Sequence, residues 1–169
     1  VCGVMSVSRR PRGGDTGFAG RSLDESGGLW GGVFSLCAME QTVVGREALE
    51  AACGVSVSEP QRAARTILRE AEMLTQTVLR VGMDWPRLLG VAPAVELVRL
   101  ALSTQVALEA DLFGGRNWKV VGGALMRPDG NAVRSHVSGL HDGVRAVFSE
   151  GGLADQLLAG LDARGLNGF

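Results

Sequence analysis

The chain is organised around the stretch Gly32-Val33-Phe34-Ser35-Leu36-Cys37-Ala38-Met39-Glu40-Gln41. This stretch presents one thiol, that of Cys37, and then enters a predicted helix over 38–52. A broad apolar stripe indicates the helix, and a glycine at position 54 is typical of the residue that ends one. Three charged residues are expected on the outward face of this helix: Arg46, Glu47 and Glu50.

A second, longer helix is predicted over 60–81. Ser58 and Gln61 have the spacing of a capping box, and Pro60 falls in the first turn, where its missing N–H costs nothing. Apolar residues then recur at steps of three and four along one face: Ala63, Ile67, Ala71, Leu74 and Val78. The polar residues expected to lie outside that face are Arg65, Arg69, Glu72 and Gln76.

The rest of the sequence also favours helices. A short turn over 85–89 is expected after a capping Asp84, and further helices are predicted over 93–111, 131–149 and 153–161. A short extended segment is expected near 118–126 because two valines precede a glycine pair there. Trp85 and Trp118 are interpreted as core anchors. The predicted fold class is therefore mainly α, a helical bundle with this one extended segment.

Two regions are expected along the chain. Residues 1–31 contain few periodic apolar positions and many glycines and arginines, which is typical of a flexible segment with an irregular backbone. Residues 32–169 are predicted to form a single helical domain, since 169 residues are few for two domains. The first residues lack the basic and apolar regions of a signal peptide.

Composition narrows the possible partners. Apolar residues make up 46% of the chain, which is enough for a core, and the net charge is −1. Such a balance argues against non-specific nucleic-acid binding, which needs a basic excess. No apolar run reaches the roughly 20 residues of a membrane span. An odd set of three cysteines without framework spacing favours free thiols in a reducing cytoplasm.

Cys37 is the residue best suited to chemistry. A helix N-terminus favours the thiolate form, which can ligate metal or attack an electrophile. The alternative is a buried structural cysteine, a common core residue. Cys53 is interpreted as packing near a helix end. No CxxC pair occurs, and His136 and His141 lie about 140° apart on a helix, so neither pattern predicts a metal site.

The stretch from Gly32 to about Gly90 resembles the large subunit of nickel–iron hydrogenases near its first cysteine motif. That motif contains an arginine, two cysteines and a histidine. The second cysteine falls on Cys37, whereas the first falls on Phe34, the arginine on Gly32 and the histidine on Gln41. The family's second cysteine pair has no counterpart in this chain. A site with four thiolates cannot be built from these residues, so hydrogen turnover is not expected.

The altered pattern is similar to that of HupK-type hydrogenase expression/formation proteins. These proteins carry Phe-Ser-Leu-Cys followed by Gln, and later Asp-Trp-Pro and Leu-Gly. The corresponding segments here are Phe34-Ser35-Leu36-Cys37, Gln41, Asp84-Trp85-Pro86 and Leu89-Gly90. The resemblance covers about a third of the chain. Because the family proteins are longer, the chain is interpreted as a partial copy of a longer family domain.

The resemblance implies a non-catalytic scaffold or chaperone that helps to build the nickel–iron cofactor of the hydrogenase large subunit. Cys37 would then be an iron or nickel–iron ligand, with Phe34 and Gln41 as binding positions beside it. The cargo would be a transient Fe(CN)2CO or nickel–iron unit, which suits a soft thiolate. The implied partners are the hydrogenase large subunit and hydrogenase maturation proteins, and the implied fold is part of the large-subunit fold.

Two other functions stay open on the sequence. The first is a metal-free helical interaction module, a pseudo-enzyme that binds hydrogenase or maturation proteins. The second is an unrelated thiol-dependent enzyme, which would require a reactive Cys37. No P-loop, nucleophile-elbow or dinucleotide-binding pattern supports an enzyme, so a non-enzyme is predicted.

Overall fold

The structure is a computed structural model that describes residues 5, 7, 14–34, 36–114, 117–123 and 126–166. The described chain is helical, and within it no strand is present. Its α-helices are α1 (Leu23–Val33), α2 (Ala38–Ala52), α3 (Glu59–Leu79), α4 (Trp85–Leu89), α5 (Val95–Phe113), α6 (Gly130–Val147) and α7 (Leu153–Asp162). The predicted mainly α class is confirmed, and so are the four long helices, to within about two residues at each end.

Helix α5 lies at the centre of the bundle. It packs against α3 on one side and α6 on the other, while α2 packs against α3 and α1 against α2. One core cluster joins α2, α3 and α5 with Trp118 and includes Val43, Leu68 and Leu108. A second cluster joins α3, α5 and α6. The apolar stripes that the sequence predicted on these helices therefore face one another.

Helix α1 corrects the expectation of an irregular backbone before residue 32. Ser22 and Glu25 form a capping box at its start, with the Ser22 amide donating to Glu25 Oε2 at 2.9 Å. Trp30 then lies against α2, where a Cβ on Gly45 would come within 2.5 Å of its ring. Local capping and this close approach outweigh the low helix propensity of the glycines. The expected boundary after residue 31 therefore falls within α1, while residues 1–4, 6 and 8–13 lie outside the described residues.

Asp84 does not cap a separate turn over 85–89, as the sequence predicted, because α3 does not stop before it. Helix α3 continues into one π-helical segment, Arg80–Asp84, and from there directly into α4. The Asp84 side chain makes no cap hydrogen bond and pairs instead with Arg80, one helical turn earlier. Gly90, in the left-handed region at φ 70°, ends α4 as predicted.

The region near 118–126 is not an extended segment where it is described. Asn117–Lys119 form a 3-10 turn, and Val120 and Gly123 make one isolated antiparallel bridge around a tight turn. Gly122 adopts φ 68°, which a β-branched strand residue would not tolerate. Trp118 is fully buried, as predicted. Residues 124 and 125 lie outside the described residues.

Two side-chain expectations were wrong. Trp85 is 51% exposed and does not anchor the core. Cys53 is exposed at the end of α2 and does not pack. No helix among the described residues has the length and hydropathy that crossing a membrane requires.

Candidate functional site

Cys37 lies at the junction between the stretch that follows α1 and the first turn of α2. It is the N-cap residue of α2, with φ −129° and ψ 42°, and its carbonyl accepts from the Gln41 amide at 3.0 Å. The side chain is half-buried and makes no cap hydrogen bond. The thiol therefore stands at a helix N-terminus, as the sequence predicted, without being sealed in the core.

The other two predicted site residues lie near Cys37 in the chain. Gln41 is one helical turn further along α2 and is half-buried. Phe34 caps the end of α1, where its amide donates to Trp30 at 3.3 Å, and it too is half-buried. Ser35, between them, lies outside the described residues.

A glutamate from α3 takes the place of a side-chain cap at the start of α2. Glu72 is buried, and its two carboxylate oxygens accept from the Met39 amide at 2.8 Å and the Glu40 amide at 2.9 Å. The first amides of a helix have no partner within the helix, so a carboxylate in this position satisfies them and also complements the helix dipole. Glu72 thereby fixes the turn that carries Cys37.

A second carboxylate in this turn is also held from α3. Glu40 accepts from Arg69 through two nearly parallel hydrogen bonds, of 2.5 Å from Nε and 2.8 Å from Nη2. Such a bidentate pair has a fixed geometry as well as charge attraction. The hydrogen bond to Glu40 raises the pKa of Arg69 above its ordinary value against the opposing effect of burial. Arg69 therefore holds the Glu40 side chain in place between α2 and α3.

A buried ion pair joins the far half of α2 to α3. Glu50 is 4% exposed and Arg65 is fully buried, and they are joined by hydrogen bonds of 2.7 and 2.8 Å. The Gly122 amide donates to Glu50 Oε1 at 3.0 Å, which ties the 117–123 segment to α2. Burial raises the pKa of Glu50, but the hydrogen bonds from Arg65 and Gly122 and the nearby positive charges lower it by more, so its pKa lies below the ordinary value.

These contacts correct the outward placement of the charged residues on α2 and α3. Arg46, Glu50, Arg65 and Glu72 were expected outside the packed faces, but all four are buried. Arg65, Arg69 and Glu72 recur at steps of four and three on α3, so they form a polar stripe that faces α2. That spacing was visible in the sequence, but it does not reveal which helix bears the complementary charges.

The remaining metal-ligating side chains do not gather around Cys37. Cys53 is sixteen residues further along α2, which corresponds to about 24 Å of helix. His136 lies 3.3 Å from Asp111, and His141 lies 3.3 Å from its neighbour Asp142. The described residues contain no group of three or more His, Cys, Asp or Glu side chains that could enclose a metal ion. Among them, Cys37 offers one thiolate and no further ligand set.

Replacing Glu72 with glutamine is expected to loosen the turn that carries Cys37. The amide has one acceptor oxygen where the carboxylate has two, so at least one of the two amides loses its partner. We expect the free energy of unfolding to fall by about 1 kcal/mol, the usual value of a helix cap. Hydrogen exchange of the Met39 and Glu40 amides should become faster.

Glu70→Gln is the matched control, because Glu70 lies on the exposed side of the same helix. It should leave both the stability and the exchange of these two amides unchanged. If Glu72→Gln leaves the exchange at Met39 and Glu40 as slow as in the original chain, Glu72 does not hold this turn.

Comparison with known proteins gives one informative similarity. The chain is 32% identical over 119 residues, 69% of its length, to a hydrogenase expression/formation protein HupK of Rhizobium leguminosarum bv. viciae. The match covers 32% of that protein, so the chain spans about a third of the relative's length. No family model matches the chain. No solved structure matches it, so the expected likeness to part of the hydrogenase large-subunit fold stays a prediction.

Proposed function

We propose that this chain acts in hydrogenase expression and formation, as a non-catalytic scaffold or chaperone for building the nickel–iron cofactor of the hydrogenase large subunit. The observation that carries the proposal is the 32% identity to a protein named for hydrogenase expression and formation. The Phe34-Ser35-Leu36-Cys37 motif, on which the sequence resemblance depends, lies directly before α2.

In the proposed mechanism, Cys37 holds an iron-containing unit as cargo. A thiolate is a soft ligand and suits iron that carries cyanide and carbon monoxide, as in an Fe(CN)2CO unit, or a nickel–iron unit. The half-buried position at the N-terminus of α2 supports this role, since the side chain is partly accessible and makes no cap hydrogen bond. Phe34 and Gln41 would border the cargo.

The surroundings of Cys37 support transfer of the cargo over permanent binding. A resident metal needs several ligands, and the second described thiol, Cys53, lies at the opposite end of α2. One thiolate would release its cargo more readily than a complete ligand set. Glu72 would keep the turn that carries Cys37 in place during this exchange. The proposed partners are the hydrogenase large subunit and hydrogenase maturation proteins, in the cytoplasm, where thiols stay reduced.

Infrared spectroscopy of the isolated chain tests the proposed cargo. The chain would be purified without oxygen from cells that contain hydrogenase maturation proteins. We expect stretching bands of cyanide and carbon monoxide that are lost in Cys37→Ala and retained in Cys53→Ala, because only the first thiol stands at the proposed site. Circular dichroism of both variants would verify that the helices are intact.

The opposite result has a definite meaning. A folded original chain without these bands, or bands that persist in Cys37→Ala, would remove Cys37 as the anchor. The second candidate function is then a metal-free interaction module for the same partners. An exposed apolar groove between α4 and α7 favours this candidate, since it offers a surface for a partner at a distance from Cys37 in the chain.

A further inference from the structure

Helices α4 and α7 line an apolar groove together with the end of α6. Its volume is about 690 Å³. Helix α4 contributes Trp85 and Leu88, α7 contributes Leu158 and Leu161, and Phe148 follows α6. We call it the α4–α7 groove. Its two helices contact each other, and Val81 of the π-helical segment also lines the groove.

Four large apolar side chains of this groove are at least half-exposed, unlike the buried residues of the core. Leu88 is 70% exposed, Phe148 75%, Leu158 60% and Trp85 51%. Single exposed apolar residues are ordinary, but contiguous apolar patches usually mark an interaction surface. These four belong to one groove, and their exposure leaves a surface that a partner could cover.

One cation stands among these apolar side chains. Of the described residues that line the groove, eleven are apolar and only Arg164 is charged. Its guanidinium donates to the Leu89 carbonyl, and to the Gly160 carbonyl at 3.4 Å. Among the described residues no carboxylate pairs with it. Because two carbonyls do not neutralise a guanidinium, the groove offers a positive charge beside an apolar surface.

We propose that the α4–α7 groove binds an amphipathic helix of a partner protein that places a carboxylate against Arg164. The partner helix would present apolar anchors at steps of three and four along one face. The helices of the groove carry apolar residues three apart, Trp85 and Leu88 on one side and Leu158 and Leu161 on the other. The charge selects an acidic helix over a basic one. The groove is separate from Cys37, so this inference and the cargo proposal can fail independently.

A second copy of the chain fits the groove less well. A symmetric pair would bring the same concave surface and the same Arg164 charge from both sides. A bare lipid surface would not require a carboxylate near the guanidinium. A second copy of the chain and a lipid surface would each give a result in the test that differs from that of a partner helix.

The test is a display library of amphipathic helices panned against the full chain. The apolar positions are fixed and the polar positions are randomised. We expect enrichment of Asp and Glu at one position beside the apolar face. Selected peptides should bind about tenfold more weakly to Leu88→Ser and to Arg164→Glu, since each change removes an anchor of the proposed interface. Trp85 fluorescence should shift on binding, and the shift should be absent in Trp85→Phe.

Arg134→Glu is the control for charge reversal, because Arg134 is an exposed arginine of α6 outside the groove. It should leave binding unchanged. Panning against Arg164→Glu should enrich Lys and Arg at the same peptide position. Circular dichroism would show whether Leu88→Ser and Arg164→Glu are folded. We expect Leu88→Ser to fold, because Leu88 is exposed.

Several outcomes would overturn the proposal. These are no enrichment, enrichment without an acidic preference, and peptides that bind Leu88→Ser as tightly as the original chain. A dimer in analytical ultracentrifugation that Leu88→Ser dissociates would assign the groove to a second copy. Binding to neutral lipid vesicles that Arg164→Glu does not alter would assign it to a membrane surface.

Discussion

Replacing Glu50 with alanine is expected to lower the free energy of unfolding by about 3–5 kcal/mol, the usual cost of removing one partner from a buried ion pair. Arg65 is fully buried and loses both of its hydrogen bonds to Glu50 in this variant. The Gly122 amide loses its acceptor as well. A small domain has only about 5–15 kcal/mol of stability in total, so the variant should be close to unfolding.

Urea unfolding followed by circular dichroism measures this loss. Glu47→Ala is the matched control, because Glu47 is exposed on the same helix, and we expect a change within about 0.5 kcal/mol. Replacing both partners, as in Glu50→Leu with Arg65→Met, should recover part of the stability, since Arg65 is then no longer left as an unpaired buried charge, whereas the buried Arg46 still loses the nearby Glu50 carboxylate. A Glu50→Ala variant as stable as Glu47→Ala would mean that the pair is not buried in solution.

The Glu50–Arg65 ion pair is also expected to make the free energy of unfolding depend on pH. Burial acts to raise the pKa of Glu50, but the hydrogen bonds from Arg65 and Gly122 and the nearby positive charges lower it by more. The folded-state pKa therefore lies below the unfolded-state pKa. The contribution is therefore complete above the unfolded-state pKa and is lost as the pH falls through the folded-state pKa. As the pH falls below about 4.5, the ordinary pKa of a glutamate, the original chain should lose more stability than the double variant.

Replacing Trp118 with alanine is expected to cost about 3–5 kcal/mol, the usual range for a fully buried large aromatic side chain. Trp118 belongs to the core cluster of α2, α3 and α5 and lies 6.0 Å from Phe113 between ring centroids. Its Nε1 donates to Glu109 at 3.1 Å, so the variant also loses a hydrogen bond. The 117–119 turn would lose its anchor on α2.

Trp85→Ala is the control for Trp118→Ala, since it removes the same side chain from an exposed position. Its free energy of unfolding should change by less than about 1 kcal/mol because Trp85 is half-exposed in the α4–α7 groove. Thermal and urea unfolding of both variants would measure the difference. Equal losses at the two positions would contradict the assignment of Trp118 to the core and Trp85 to the surface.

The two tryptophans illustrate the limit of sequence analysis for this fold. Both were interpreted as core anchors, because a large apolar side chain in a helical chain is usually buried. Trp118 is fully buried, whereas Trp85 lies in the short helix α4 and is 51% exposed. A helix of five residues carries too short a pattern to show which of its faces is buried, so the sequence did not distinguish the two tryptophans.

The candidate site was predicted in part. The position of Cys37 at the start of a helix followed from the apolar stripe over 38–52, and α2 begins at Ala38. The capping role of Glu72 was not predicted, because it comes from a residue 33 positions away from Met39. Whether Cys37, Phe34 and Gln41 bind a metal cargo stays a prediction.

The sequence by itself determined where the long helices lie. Apolar residues at helical spacing and local signals such as Ser58 with Gln61 act within a few residues, so they can be read along the chain. The tertiary structure alone decided which charges are buried and which apolar residues are exposed. A polar stripe such as Arg65, Arg69 and Glu72 has the same spacing whether it faces water or a complementary helix, and only the packing of α2 on α3 distinguishes the two.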